Sequence, residues 1–359
     1  MSLFTEMLKA TKNQDASIVA DGVACGDVAG WLDSGSYSLN ALISGSIYGG
    51  YPLGKATVMS GDPGAGKSFA FLTALKLFLD NNPTGFCFYF ESESAISKDM
   101  FVSRGIDINR VAVLPVVTIQ EFRHQCITIL DKYEQSDRDK SKRPPMLMIL
   151  DSLGMLSTTK EITDTAEGSE TKDMTRNQII KATFRVIALK LGRTDVPLLM
   201  TQHAYATMDQ YRPREIGGGN SLKYVASTII MLNKRKEKDG KDVIGNNIRA
   251  VAEKSRFTKE FSQAECLIDF ETGLSRYYGL LEIAERCGAI VKEGVRYKLA
   301  DGRLVYGKVI NENPEEVYTK ELLDKIDEGC KSIFGYGKGH DSSIESIEET
   351  IDKETGEII

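Results

Sequence analysis

Eight residues constrain this chain more than any others. Gly61-Asp62-Pro63-Gly64-Ala65-Gly66-Lys67-Ser68 matches G-x-x-x-x-G-K-[ST], and it lies between an apolar run of strand length, Ala56–Ser60, and an apolar run of helical length, Phe69–Leu79. Glycines in such a loop let the backbone wrap with its N–H groups pointing inward, and the first turn of the following helix adds positive potential. The segment from Gly61 to Phe69 therefore reads as a phosphate cradle. Lys67 reaches the outer phosphates and Ser68 offers its hydroxyl to magnesium.

The second half of such a site is also present. Met146–Leu150 is a continuous apolar run that ends in Asp151, followed by Ser152. A strand ending in a carboxylate beside a phosphate loop is placed to hold magnesium through water, because this ion keeps much of its hydration shell. Hydrolysis further needs a group that orients and polarises water. The run Phe86–Phe90 leads into Glu91-Ser92-Glu93, and on the residues alone either carboxylate can reach the same edge.

Around these motifs, strand-length apolar runs alternate with helical patterns. The runs are Ala56–Ser60, Phe86–Phe90, Val111–Leu114, Met146–Leu150, Val196–Thr201, Thr228–Leu232, Ile248–Ala252 and Cys266–Phe270, with helices expected at Ser68–Asp80, Ile119–Tyr133 and Asp173–Leu191. The pattern predicts an α/β fold on a mixed, largely parallel sheet, with its chemistry at the strand carboxyl ends. Residues 1–35 read as a terminal helix and a linker, with Leu3, Phe4, Met7 and Leu8 at helical spacing. That helix either packs on its own domain or docks on a neighbouring subunit. Residues 36–277 form the core. Residues 278–335 form a small α+β lobe, with helices at Leu280–Cys287 and Glu315–Gly329 around a short hairpin in Ala289–Val309. Residues 336–359 form an acidic tail.

Charge and cysteine usage narrow the class. The net charge of −6 argues at first against a polynucleotide partner, but seven acidic residues against Lys353 between Asp341 and Ile359 account for all of it. The rest of the chain is neutral and can carry a local basic groove, while the tail is either solvated or a competitor for that groove. Cys25, Cys87, Cys126, Cys266, Cys287 and Cys330 contain no C-x-x-C pair, so they suggest neither a metal cage nor a disulfide framework. No apolar run approaches the roughly 18 residues of a membrane span, and the first ten residues lack the apolar core of a signal peptide. A cytoplasmic address is expected.

Several further segments occur in one family's order and spacing. They are Leu53-Gly54-Lys55, Phe90-Glu91-Ser92-Glu93, Leu150-Asp151-Ser152-Leu153, Gly217-Gly218-Gly219-Asn220-Ser221-Leu222-Lys223-Tyr224 and Phe261-Ser262-Gln263-Ala264-Glu265. With them the chain resembles the RecA-class recombinases over about Ser38 to Tyr306. Asp173-Met174-Thr175-Arg176 and Glu253-Lys254-Ser255-Arg256 resemble the UvsX-type members of tailed bacteriophages in particular. The resemblance implies a RecA-type P-loop ATPase using ATP and Mg2+, which polymerises as a helical filament on single-stranded DNA and exchanges strands with homologous duplex DNA. It also implies a mediator and a single-strand-binding protein as partners, and the cytoplasm of an infected cell as the place of action.

The same resemblance assigns roles. It selects Glu93 over Glu91 to activate water, and it makes His203, where RecA itself has glutamine, the sensor of the outer phosphate. It sends Lys254 and Arg256 across the subunit boundary to the neighbour's ATP. The position near Met100 and Phe101, where relatives often stack an aromatic on adenine, is ambiguous here. Two long segments after strand ends, Ser157–Lys172 and Ala204–Asn220, match the family's DNA-binding loops in position. Their candidate contacts are Lys160, Lys172 and Arg176 for the first, and Tyr205, Tyr211, Arg212, Arg214, Gly218, Gly219, Asn220 and Lys223 for the second. Cations track phosphates and aromatics stack on bases, which suits single strands read without sequence preference. A hexameric helicase shares the core and differs in forming a ring that separates strands. A non-catalytic mediator would bind ATP without DNA-stimulated turnover, yet Lys67, Ser68, Glu93 and Asp151 are all in place.

Overall fold

A computed structural model describes residues 3–13, 15–23, 25–137, 139–168, 175–206, 214–217, 220–239, 242–299 and 302–336. Its centre is a ten-stranded sheet built from β1 (Ala56–Gly61), β2 (Phe86–Glu91), β3 (Val111–Pro115), β4 (Met146–Asp151), β5 (Leu198–Ala206), β6 (Arg214–Ile216), β7 (Thr228–Asp239), β8 (Asp242–Ser255), β9 (Gln263–Asp269) and β10 (Gly273–Leu274). The order across it is β10-β9-β8-β7-β1-β5-β4-β2-β3, with β6 pairing off β5. Pairs from β7 through β1 to β3 are parallel, whereas β7 to β10 form an antiparallel wing. This is the mixed, largely parallel α/β sheet that the alternating pattern predicts.

Strand alternation sends neighbouring side chains to opposite faces, and here both faces are covered. Met59, Tyr89, Leu147, Ile149 and Leu199 pack on one side with α2 (Tyr37–Ser44) and α3 (Lys67–Asn81). Val58, Phe90, Met148, Leu150, Leu198 and Met200 pack on the other with α4 (Ile119–Ser136) and α6 (Arg176–Thr194). All six residues of β1 and of β4 are buried, polar Thr57, Ser60 and Asp151 among them. Helix α4 starts at Thr118, whose hydroxyl accepts from the N–H of Glu121.

The boundaries differ from the expected ones where polarity hides structure. Strands β7 and β8 run well past their apolar parts, Thr228–Leu232 and Ile248–Ala252, as an extension of the antiparallel wing in which β9 stays paired with β8 as far as Gly245. Within the stretch expected as the first loop lies α5 (Thr159–Ala166), closed by a capping box between Thr158 and Glu161. The second segment contains β6 and opens α7 (Asn220–Val225). Beyond the sheet come α8 (Leu280–Arg286), three short antiparallel strands (Val291–Glu293, Arg296–Lys298, Leu304–Tyr306), a turn of helix in place of the hairpin's expected end (Gly307–Glu312), and α9 (Lys320–Phe334). Apolar side chains of α8 and α9, including Leu280, Ile283, Ile326 and Phe334, belong to the same cluster as α2 and α3.

Helix α1 (Leu3–Ala10) buries none of its residues, and Leu3, Phe4 and Met7 are more than half exposed. The segment after it lies along the core through the Asp15–Arg193 ion pair and through Lys55 donating to the Cys25 carbonyl. Among the described residues, no helix is long and apolar enough to cross a membrane.

Candidate nucleotide site

The parallel register brings the motifs to one edge. Gly61 pairs with His203 of β5, and Glu91 pairs with Asp151 of β4. The loop that leaves β1 uses three glycines with positive φ, Gly61, Gly64 and Gly66. Gly66 takes φ 88°, and a Cβ there would lie 2.3 Å from Ile268 Cδ1 on β9, while a Cβ on Gly61 would lie 2.7 Å from the Leu232 carbonyl oxygen. Lys67 opens α3 and curls back, its ammonium donating at 3.0 Å to both the Gly61 and Asp62 carbonyls. Burial pulls it below the usual lysine range, against the opposing pull of Asp151, Glu93 and Asp62.

Asp151 is buried and held at both oxygens. Tyr89 donates to Oδ2 at 2.7 Å, and the Thr201 hydroxyl donates to Oδ1. Burial, then Asp151, pushes the Tyr89 phenol well above its usual range, so it is a permanent donor. Neither partner was singled out in the sequence. Thr201 lies two residues before His203 on β5, so strand alternation turns both to the same face of the sheet.

The two glutamates have different surroundings. Glu91 is buried and its Oε1 accepts from the N–H groups of Glu93 and Ala95, so it shapes the turn. Glu93 projects into the open edge. Its Oε1 accepts from the Ser152 hydroxyl at 2.6 Å and lies 3.0 Å from His203 Nε2. Ser152 is clamped to Ser92 by a bond to the Ser92 hydroxyl and one to its own carbonyl, both 2.8 Å, and the Asp151–Ser152 peptide is cis. The roots of both long segments converge here. A Cβ on Gly154 would lie 3.2 Å from His203 Cδ2, and one on Gly217 would lie 2.4 Å from Gln202 Nε2.

Next to α3 lies a recess of about 480 Å³, lined by Phe69, Thr73, Lys76, Arg104 and Glu271 among others. The Arg104 guanidinium sits 5.0 Å above the Phe69 ring and donates to the Met100 carbonyl. Phe101 is buried edge-on against Tyr89 at 5.9 Å, so it belongs to the core.

At the opposite edge, Lys55, Lys181, Arg185, Tyr224 and Arg256 line a groove of about 600 Å³. Lys254 donates to the Lys223 and Ala226 carbonyls at the end of α7, and burial, helped by Arg256, lowers its basicity. Of the expected polynucleotide contacts, Lys160, Tyr205 and Lys223 are exposed. Arg176 instead donates to the Gly154 and Leu156 carbonyls, so it fastens the root of the first segment. Arg214 lies on β6 and Asn220 opens α7. Lys172, Tyr211, Arg212, Gly218 and Gly219 lie outside the described residues.

Comparison with known proteins adds the family. The profile of the RecA N-terminal domain matches residues 14–275, which contain the whole sheet and both ends of the site. The chain belongs to the RecA family. It is also 30% identical over 254 residues to the recombination and repair protein of Enterobacteria phage T4, a match covering 71% of this chain and 63% of that one. The RecA match and the observed sheet agree with the resemblance carried by the glycine-asparagine segment.

Proposed function

We propose that this RecA-family protein is an ATP-dependent recombinase that assembles as a helical filament on single-stranded DNA and pairs it with homologous duplex DNA. One observation carries the reading. Glu93, the exposed carboxylate beside the phosphate loop, shares one oxygen between Ser152, at the root of the first long segment, and His203, on the strand that enters the second. A water positioned against the outer phosphate would compete with both partners for that oxygen. Occupancy of the nucleotide site would thereby loosen or set the two segments proposed to grip DNA.

In this reading the loop N–H groups from Gly61 to Ser68 and the Lys67 ammonium bind the phosphates, and Phe69 with Arg104 flanks the base. The Ser68 hydroxyl and Asp151 are hard oxygen donors that suit magnesium, which when bound neutralises phosphate charge. Glu93 orients and polarises water, and His203 senses the outer phosphate. Lys254 and Arg256 complete the neighbour's site, where cations stabilise charge on the transferring phosphoryl group. The exposed apolar face of α1 suits docking on an adjoining subunit.

The test uses the full chain and Glu93→Gln. Hydrolysis by the unaltered protein should rise with single-stranded DNA, while the variant binds ATP with little change and turns over at least about a hundredfold more slowly. Electron micrographs with a slowly hydrolysed ATP analogue and single-stranded DNA should show open helices. Closed rings would indicate a helicase, and turnover indifferent to DNA would defeat the recombinase reading.

A further inference from the structure

The phosphate loop is approached by a second lysine that belongs to no nucleotide motif. Strand β7 stays paired with β1 as far as Leu232 opposite Gly61, where β1 gives way to the loop. It then continues in register with β8 alone, Lys234 opposite Ile248 and Lys236 opposite Asn246. Side chains two apart on a strand share a face, so Lys234 occupies, past the end of β1, the face that Leu232 occupies beside it. The loop lies where β1 would have continued. The Lys234 ammonium donates to the Pro63 carbonyl at 3.0 Å, and a Cβ on Gly64 would lie 3.1 Å from it.

We infer that Lys234 is a positioning residue for the nucleotide polyphosphate, bracing the phosphate loop from outside while Lys67 holds it from within. The inference rests on the nucleotide reading of the site. A phosphate loop turns its N–H groups inward and so leaves carbonyls outward, where an ammonium both fixes the turn and adds positive potential to a cradle that must accept several negative charges. Lys67 already spends two of its donors on the Gly61 and Asp62 carbonyls, so Lys234 on the Pro63 carbonyl extends the same support by one residue. The location has a further consequence. Because Lys234 is carried by a ribbon that includes Arg235, Lys236 and Arg249, displacement of that ribbon changes the fit of the loop to its phosphates.

The test compares the unaltered full chain with Lys234→Met, Lys234→Arg and Lys67→Ala, using fluorescent MgADP, a slowly hydrolysed MgATP analogue, and adenosine as probes. Loss of a positive charge beside a cradle that accepts several negative ones predicts that Lys234→Met weakens the triphosphate at least about tenfold, with a shallower salt dependence. Lys234→Arg should restore most of the affinity, KM for ATP should rise with kcat changed less than about twofold, and adenosine binding should not move. Equal weakening of adenosine, or failure of arginine to rescue, would reduce Lys234 to a residue of general structure. Unchanged triphosphate affinity in Lys234→Met, with binding lost in Lys67→Ala, overturns the inference and leaves the nucleotide site standing. No binding by the unaltered protein overturns both.

Discussion

Replacing Thr201 by valine tests how Asp151, the carboxylate proposed to face magnesium, is kept in place. Thr201 is fully buried, and its hydroxyl meets one oxygen of Asp151 while Tyr89 meets the other. Valine preserves the shape of threonine and removes only the donor, leaving a buried carboxylate oxygen without its partner. A hydrogen bond to a charged group contributes about 1.5–3 kcal/mol, so urea unfolding at neutral pH should show a loss of about 2 kcal/mol. The freed carboxylate can also rotate away from the proposed magnesium position, and about 1.4 kcal/mol of lost orientation would raise the magnesium needed for half-maximal ATP hydrolysis roughly tenfold. Thr201→Ser should retain both properties, and Tyr89→Phe should shift them in the same direction as valine. Stability within about 0.5 kcal/mol of the original, together with an unchanged magnesium requirement in Thr201→Val, would refute the argument that these hydroxyls orient Asp151.

Three further outcomes follow from the geometry. Burial depresses the Lys67 ammonium in the free protein and incoming phosphates favour its charged form, so ATP binding at alkaline pH should take up protons; calorimetry in two buffers of different ionisation enthalpy checks this, and equal heats would contradict it. Gly66→Ala combines a left-handed backbone with a methyl 2.3 Å from Ile268, and denaturant unfolding should show a loss of about 2–4 kcal/mol, only partly recovered by adding Ile268→Val. Mixing Lys254→Ala with Lys67→Ala protein should restore part of the DNA-stimulated hydrolysis that each lacks, because some junctions then pair an intact loop with an intact partner lysine; no recovery despite co-sedimentation would argue against catalysis across the boundary.

The phosphate loop, Asp151 and the sheet were legible because burial on both faces writes strands as apolar runs and because glycine spacing encodes backbone shape. The choice of Glu93 over Glu91 rests on the family resemblance; in the structure Glu91 accepts from the turn's own N–H groups, while Glu93 lies between Ser152 and His203. Thr201 was hidden because a single threonine in a buried strand has no signature of its own. The extension of β7 beyond Leu232 was missed since Lys234, Arg235 and Lys236 are exposed where β1 has ended, so neither alternation nor apolarity marks it. Helix α5 did leave a signal, the Thr158-to-Glu161 spacing of a capping box, which loop length alone obscured.

In the proposed filament Lys254 would have a double allegiance. Within its own subunit it latches the final turn of α7, the helix that begins at Asn220 where the second long segment ends. An ammonium that swings out to meet an adjacent molecule must release the Lys223 and Ala226 carbonyls, and that helix then loses its tether. Joining a neighbour and unlocking the segment upstream would thus be a single event, written into the reach of one side chain.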